Sequence, residues 1–174
     1  QAAAQAGNVS HLPILNEREE VKTLAIVLVT GDRGLAGAFN ANIIRTATRF
    51  LADRGDGDVS LALVGRKARD FFRRRAVKVR SERVGVFQAL RYETARELAR
   101  ELMEAFTRGE ADQVFLVYNE FKSVIQQRLV IDRLLPIERH AVRPQEPGLD
   151  YLYEPEPAGI FATLLPKHVE VQVW

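Results

Sequence analysis

Between residues 22 and 134 the chain alternates short apolar runs with stretches whose apolar residues recur every three or four positions. Lys22 to Thr30 carries Leu24, Ala25, Ile26, Val27, Leu28 and Val29 with no polar interruption, which predicts a strand covered on both faces rather than one with a wet side. Phe39, Ile43, Ala47 and Phe50 follow at helical spacing, and the predicted helix ends before the turn cluster Gly55-Asp56-Gly57-Asp58. The pattern then repeats. Ser60 to Val64 predicts a second buried strand, Arg66 to Arg75 a short helix with Ala68, Phe71 and Phe72 inward, and Val77 to Val84 a weaker strand. Tyr92, Ala95, Leu98, Ala99, Leu102 and Phe106 mark a long amphipathic helix, and Val114 to Tyr118 another buried strand.

Strands that alternate with helices need crossover connections, so the pattern predicts an α/β fold: an open three-layer sandwich with a mostly parallel sheet and right-handed crossovers. Asn119 to Ser123 and Arg128 to Leu134 lie too close together for a helical crossover and predict an antiparallel hairpin at one edge. Glu138 to Gly148, with Pro144 and Pro147, reads as a loop. Asp150 to Pro157 reads as an extended segment that enters a helix at its prolines, with Ile160, Phe161, Leu164 and Leu165 as an apolar stripe. No internal repeat is evident. Three parts are expected: the end of a helix and a linker over 1–21, the α/β body over 22–149, and the extended segment with the start of a helix over 150–174. Gln1 to Gly7 resembles the tail of a helix, and the chain stops on Val171-Gln172-Val173-Trp174 without a capping residue. It therefore reads as a piece of a longer protein.

Composition narrows the chemistry. With 174 residues, 47% hydrophobic and 28% charged, the chain can bury a core of its own. No run approaches the roughly 18 to 20 apolar residues that span a bilayer, so direct membrane insertion is not expected. Neither is a signal segment, and a soluble, intracellular domain is. The absence of cysteine excludes disulfides, thiolate metal sites and thiol catalysis. A formal net charge of +2 is too balanced to make nucleic acid the expected partner. His11, His140 and His168 share no metal-ligand spacing, and no nucleophile elbow or Ser/His/Asp order appears, so neither a metal nor catalysis is expected.

The junction Gly31-Asp32-Arg33-Gly34-Leu35-Ala36-Gly37 between the first strand and first helix looks like a phosphate loop. It lacks the Lys-Ser/Thr pair of a nucleoside-triphosphate loop and fails the G-x-G-x-x-G pattern, so no cofactor is expected. Its glycines are expected to supply positive φ or a close backbone approach. An anion at the following helix N-terminus is disfavoured by Asp32, while Arg33 on a rigid turn suits a partner's carboxylates. The run Arg66 to Arg75 invites a nucleic-acid reading, but Phe71 and Phe72 share a helical face with Ala68, which makes them core and the arginines an exposed face. Asp150, Tyr151, Tyr153 and Glu154 combine aromatic and acidic character. They fit either a protein interface or tyrosines packed on the sheet beside a helix N-terminus.

The string Thr30-Gly31-Asp32-Arg33-Gly34-Leu35-Ala36-Gly37-Ala38-Phe39-Asn40-Ala41-Asn42 is similar to the glycine-rich signature of the gamma subunit of F-type ATP synthases. Three further blocks resemble that family in its own order. They are Leu116 to Phe121, Leu134-Leu135-Pro136, and Asp150 to Pro155 continuing through Leu164 to Gln172. The resemblance implies a Rossmann-like body set between two shaft helices that are almost wholly absent here. It also implies a non-catalytic rotor subunit at the cytoplasmic face of a bacterial membrane. Its partners would be the alpha and beta subunits, the epsilon subunit and the c-ring. By the same resemblance Asp32, Arg33, Gly34, Leu35 and Ala36 lie near the acidic catch loop of a beta subunit, while Asp150, Tyr151, Tyr153 and Glu154 meet the c-ring and epsilon. Ala36 departs from the family, where cysteine is frequent. Two alternatives stand beside this reading: a nucleotide-binding enzyme of Rossmann type with a pocket beside Gly34 and Gly37, and a nucleic-acid-binding domain using the Arg66 to Arg75 face.

Overall fold

The computed structural model describes residues 12–34, 38–53, 58–121, 127–138 and 157–174. Five strands form one sheet: β1 (Thr23–Val29), β2 (Asp58–Val64), β3 (Lys78–Arg83), β4 (Gln113–Phe121) and β5 (Gln127–Leu135). Their order is β3-β2-β1-β4-β5. The first four run parallel, and β5 pairs antiparallel with β4 as the edge hairpin. The helices are α1 (Phe39–Asp53), α2 (Arg66–Phe72), α3 (Tyr92–Thr107) and α4 (Pro157–Val173). The expected α/β sandwich is thus the observed one.

The uninterrupted apolar run of β1 serves two cores. Ala25 and Val27 point to one face, where they meet Leu98, Ala99, Leu102 and Phe106 of α3 and Val169 of α4. Ile26 and Leu28 point to the other, against Ile43 and Ala47 of α1 and Ala68 and Phe72 of α2. A strand wetted on neither face needs no polar alternation. At its N-terminal end β1 is tied to β4 by Asp112, whose Oδ2 accepts hydrogen bonds from Lys22 N (2.9 Å), Thr23 N (2.8 Å) and Thr23 Oγ1 (2.9 Å).

Two expected elements differ in detail. The helix foreseen to Arg75 stops at Phe72, the last side chain of α2 in the core; Arg73, Arg74 and Arg75 are exposed. Phe72 is fully buried, but Phe71 is only half-buried, with the Arg75 guanidinium 3.4 Å from its ring centre. In α4 the foreseen apolar stripe is split: Leu165 packs against the core with the buried Val169 and with Val173, whereas Phe161 and Leu164 are exposed at 43% and 53%, and the side chain of Ile160 lies outside the described residues. Tyr92 fastens the same helix through a bond from its hydroxyl to Glu170 Oε2 (2.8 Å) and an edge-to-face contact with Trp174.

Candidate functional site

Parallel strands all deliver their C-terminal ends to one edge of the sheet, and the sheet order reverses between β1 and β4, where crevices open in such folds. The turn that follows β1 lies there. Thr30 starts it: its N–H (2.8 Å) and hydroxyl (3.1 Å) donate to Val64 O at the end of β2, and its Oγ1 accepts from Ala68 N (3.0 Å) of α2. Gly31 N donates to Asn40 Oδ1 (2.8 Å), and Asn40 Nδ2 donates to Arg33 O (3.4 Å), so one buried amide of α1 clasps the turn at two points. Gly31 O in turn accepts from Lys67 N (3.3 Å).

Asp32 completes the brace. Its Oδ1 accepts from Arg66 N and from Gly85 N, both at 3.0 Å, which ties the β1 turn to the start of α2 and to the turn after β3. Oδ2 is buried and has no hydrogen-bond partner among the described residues. Gly65 makes the junction possible. Its φ of +92° is one that side chains rarely adopt, its N–H donates to Arg83 O (2.8 Å), and a Cβ there would stand 1.8 Å from Thr30 O. The positive φ expected of Gly31 and Gly34 falls instead on Gly65, Gly85 and Gly109 among the described residues. Close approach is slight at both: a Cβ on Gly31 would meet Asn40 Oδ1 at 3.4 Å, and one on Gly34 would meet the flexible end of Lys67 at 3.3 Å.

Of the residues singled out by sequence, Asp32 is directed inward, while Arg33 and Gly34 are exposed on the braced turn. Arg33 has no carboxylate partner among the described residues, and the ammonium of Lys67 stands close over Gly34. Leu35 and Ala36 lie outside the described residues, as do Asp150, Tyr151, Tyr153 and Glu154. Gly65 and Gly85 escaped the sequence reading, and Asn40 entered it only within the family string without a role, because their roles depend on partners in other elements. Asp132, which spacing left without a partner, accepts a bond from the Tyr118 hydroxyl (3.0 Å) across the hairpin. Burial, followed by the Asp132 bond, pushes the Tyr118 phenol up to about 12. No group of three or more His, Asp or Glu that could hold a metal occurs among the described residues.

This arrangement presents an exposed guanidinium on a turn braced by hydrogen bonds to α1, α2 and the turn after β3. A family model described as ATP synthase matches residues 1–174. The chain belongs to the ATP synthase gamma-chain family. It is 45% identical over 174 residues to an ATP synthase gamma chain of Anaeromyxobacter sp. (strain K), covering 99% of this chain and 59% of that one. Against the gamma chain of Chlorobaculum parvum (strain DSM 263 / NCIMB 8327) it is 45% identical over 167 residues, covering 93% of this chain and 57% of the relative. The chain therefore spans just under three fifths of the length of these relatives. The fold is similar to a chain of the central stalk and c-ring structure of the Tetrahymena thermophila mitochondrial ATP synthase. There the TM-score is 0.68 at 23% identity, over 99% of this chain and 76% of that one. Membership of the gamma-chain family and the Rossmann-like α/β body are both as expected from the sequence. No helix among the described residues is long and apolar enough to cross a membrane.

Proposed function

We propose that this chain is the α/β body of a central-stalk rotor subunit, which couples proton flow through a membrane sector to ATP synthesis and hydrolysis at a ring of alpha and beta subunits and regulates their ATPase activity. It does no chemistry itself and works at the cytoplasmic face of a bacterial membrane as a peripheral part of the complex. The observation that carries this reading is the braced turn. Arg33 is exposed and has no carboxylate partner among the described residues, yet its backbone is tied through Asp32 and Asn40 to α1, α2 and the turn after β3. A cation on a compliant loop would yield to a moving partner, whereas one on a rigid support passes force on. In this reading Arg33, with Gly34, Leu35 and Ala36, meets acidic side chains of a beta subunit, and Asp32 holds the turn. Asp150, Tyr151, Tyr153 and Glu154 meet the c-ring and the epsilon subunit.

The test is reconstitution of the full-length subunit with alpha and beta subunits, measuring ATPase turnover with and without it. Dependence of steady turnover on this subunit is expected, and an alpha/beta preparation that turns over equally without it contradicts the proposal. Calorimetric titration of the chain with ATP, ADP and NAD addresses the enzyme alternative. Tight stoichiometric binding of any of them would move the assignment to a nucleotide-binding site.

A further inference from the structure

On the side of the sheet covered by α1 and α2 lies a groove of about 800 Å³, lined by the turn at Gly34 and by both helices. We propose that it is a binding site for a monomeric amphiphilic anion, a single apolar chain ending in a carboxylate. Its walls carry the first half of that description. Ala41 and Ala52 sit at the two ends of the α1 face, with Ile44 along it and Phe71 of α2 opposite. From Ala41 to Ala52 the helix rises about 16 Å at ~1.5 Å per residue, enough to lay an alkyl chain lengthwise.

The charges carry the second half. Arg45 and Arg49 stand one turn apart on the α1 wall, and Lys67 faces them from α2. Among the described residues none of the three has a carboxylate partner, whereas Arg80, Arg83 and Arg133 are paired with Glu110, Glu101, and Glu17 and Glu138 respectively. Three cations without a carboxylate ion pair among the described residues, on an apolar concavity, favour an anion whose body is apolar, and a pocket of this size with few convergent polar groups has the dimensions of a ligand site. Ile44 and Phe71 are half-buried in the groove's lining. The site therefore suits a chain that enters as a monomer and not the flat surface of a bilayer.

Calorimetric titration of the full chain with dodecanoate, below its micelle concentration, tests the inference. One saturable site is expected, with no binding of acetate, which lacks the chain. The double variant R45E/R49E should weaken binding by at least about tenfold, while the charge-matched variant R96E/R100E on α3, outside the groove's lining, should stay within about twofold. T48W keeps every cation and fills the groove from its α1 wall, so it should also abolish binding; near-UV circular dichroism verifies that each variant is folded. The proposal is overturned by the absence of a saturable site, by equal losses in the two charge variants, or by full binding in T48W. Capture of the chain by phosphatidylglycerol vesicles without binding of dodecanoate would also overturn it.

Discussion

Gly65→Ala puts the brace behind the candidate site to the test. Gly65 sits at φ 92°, ψ 148°, a region open essentially to glycine alone, where another residue costs about 1–3 kcal/mol. The added Cβ would stand 1.8 Å from Thr30 O, 2.6 Å from Thr30 C and 2.9 Å from Thr30 Oγ1. All three are far inside a van der Waals contact, and two are backbone atoms that no side-chain rotation can move. Relief requires β1 and the β2–α2 junction to separate. Such overpacking costs about 1–3 kcal/mol, and it strains the Thr30 bonds to Val64 and Ala68, each worth ~1 kcal/mol. The expected loss is therefore about 3–6 kcal/mol, a large share of the roughly 5–15 kcal/mol that stabilises an ordinary domain. Gly85→Ala is the internal control. Gly85 also has a positive φ, +80°, but a Cβ there meets nothing within 4 Å, so only the left-handed conformation is penalised, by about 1–2 kcal/mol. Urea unfolding followed by far-UV circular dichroism separates the two. A G65A variant within about 1 kcal/mol of the parent, or equal to G85A with an unchanged m-value, would refute the steric reasoning.

Two further expectations concern pH. Burial pushes the Asp112 carboxyl up, but the bonds from the Thr23 and Lys22 N–H groups and the Thr23 hydroxyl outweigh it and hold it below the usual 3.8. Because the folded-state value is depressed, this stabilisation is present above 3.8 and disappears as pH falls through the folded value. Asp112→Ala should lower stability by about 2 kcal/mol at neutral pH and flatten the acid limb of a stability–pH profile, and an acid limb unchanged in slope would count against the brace. The Tyr118 phenol, raised from 10.0 to about 12 by burial and by Asp132, contributes stability that is full below 10 and lost as pH rises through about 12. Ultraviolet titration should show a late tyrosinate step that Tyr118→Phe removes, and a parent lacking that step would contradict the hairpin contact.

The sequence made the architecture legible because the periods were strong: the unbroken Leu24 to Val29 run required cover on both faces, and α3 repeats its apolar residues over four turns. It misled where a period was right but its partner was not in view. Phe161 and Leu164 form a stripe in sequence, yet α4 packs through Val169 and Val173, a choice set by α3 and the sheet. Likewise the glycine-rich string drew attention to Gly31 and Gly34, while the strained backbone lies at Gly65, whose demand comes from Thr30 in a different strand. The brace around Arg33 was invisible for the same reason. Asp32 bonds to residues 34 and 53 positions away, and Asp112 to residues 89 and 90 positions away.

That Arg33 on its stiff turn carries force to an acidic partner is tested most directly by Arg33→Glu in the full-length subunit. The measurement is ion-driven ATP synthesis in reconstituted membranes, with thermal unfolding of the same protein alongside. Synthesis should fall by at least about tenfold with the unfolding midpoint unmoved, and Arg33→Lys should retain a larger share. Undiminished synthesis by the glutamate variant would contradict the assignment of this turn as the point of force transfer.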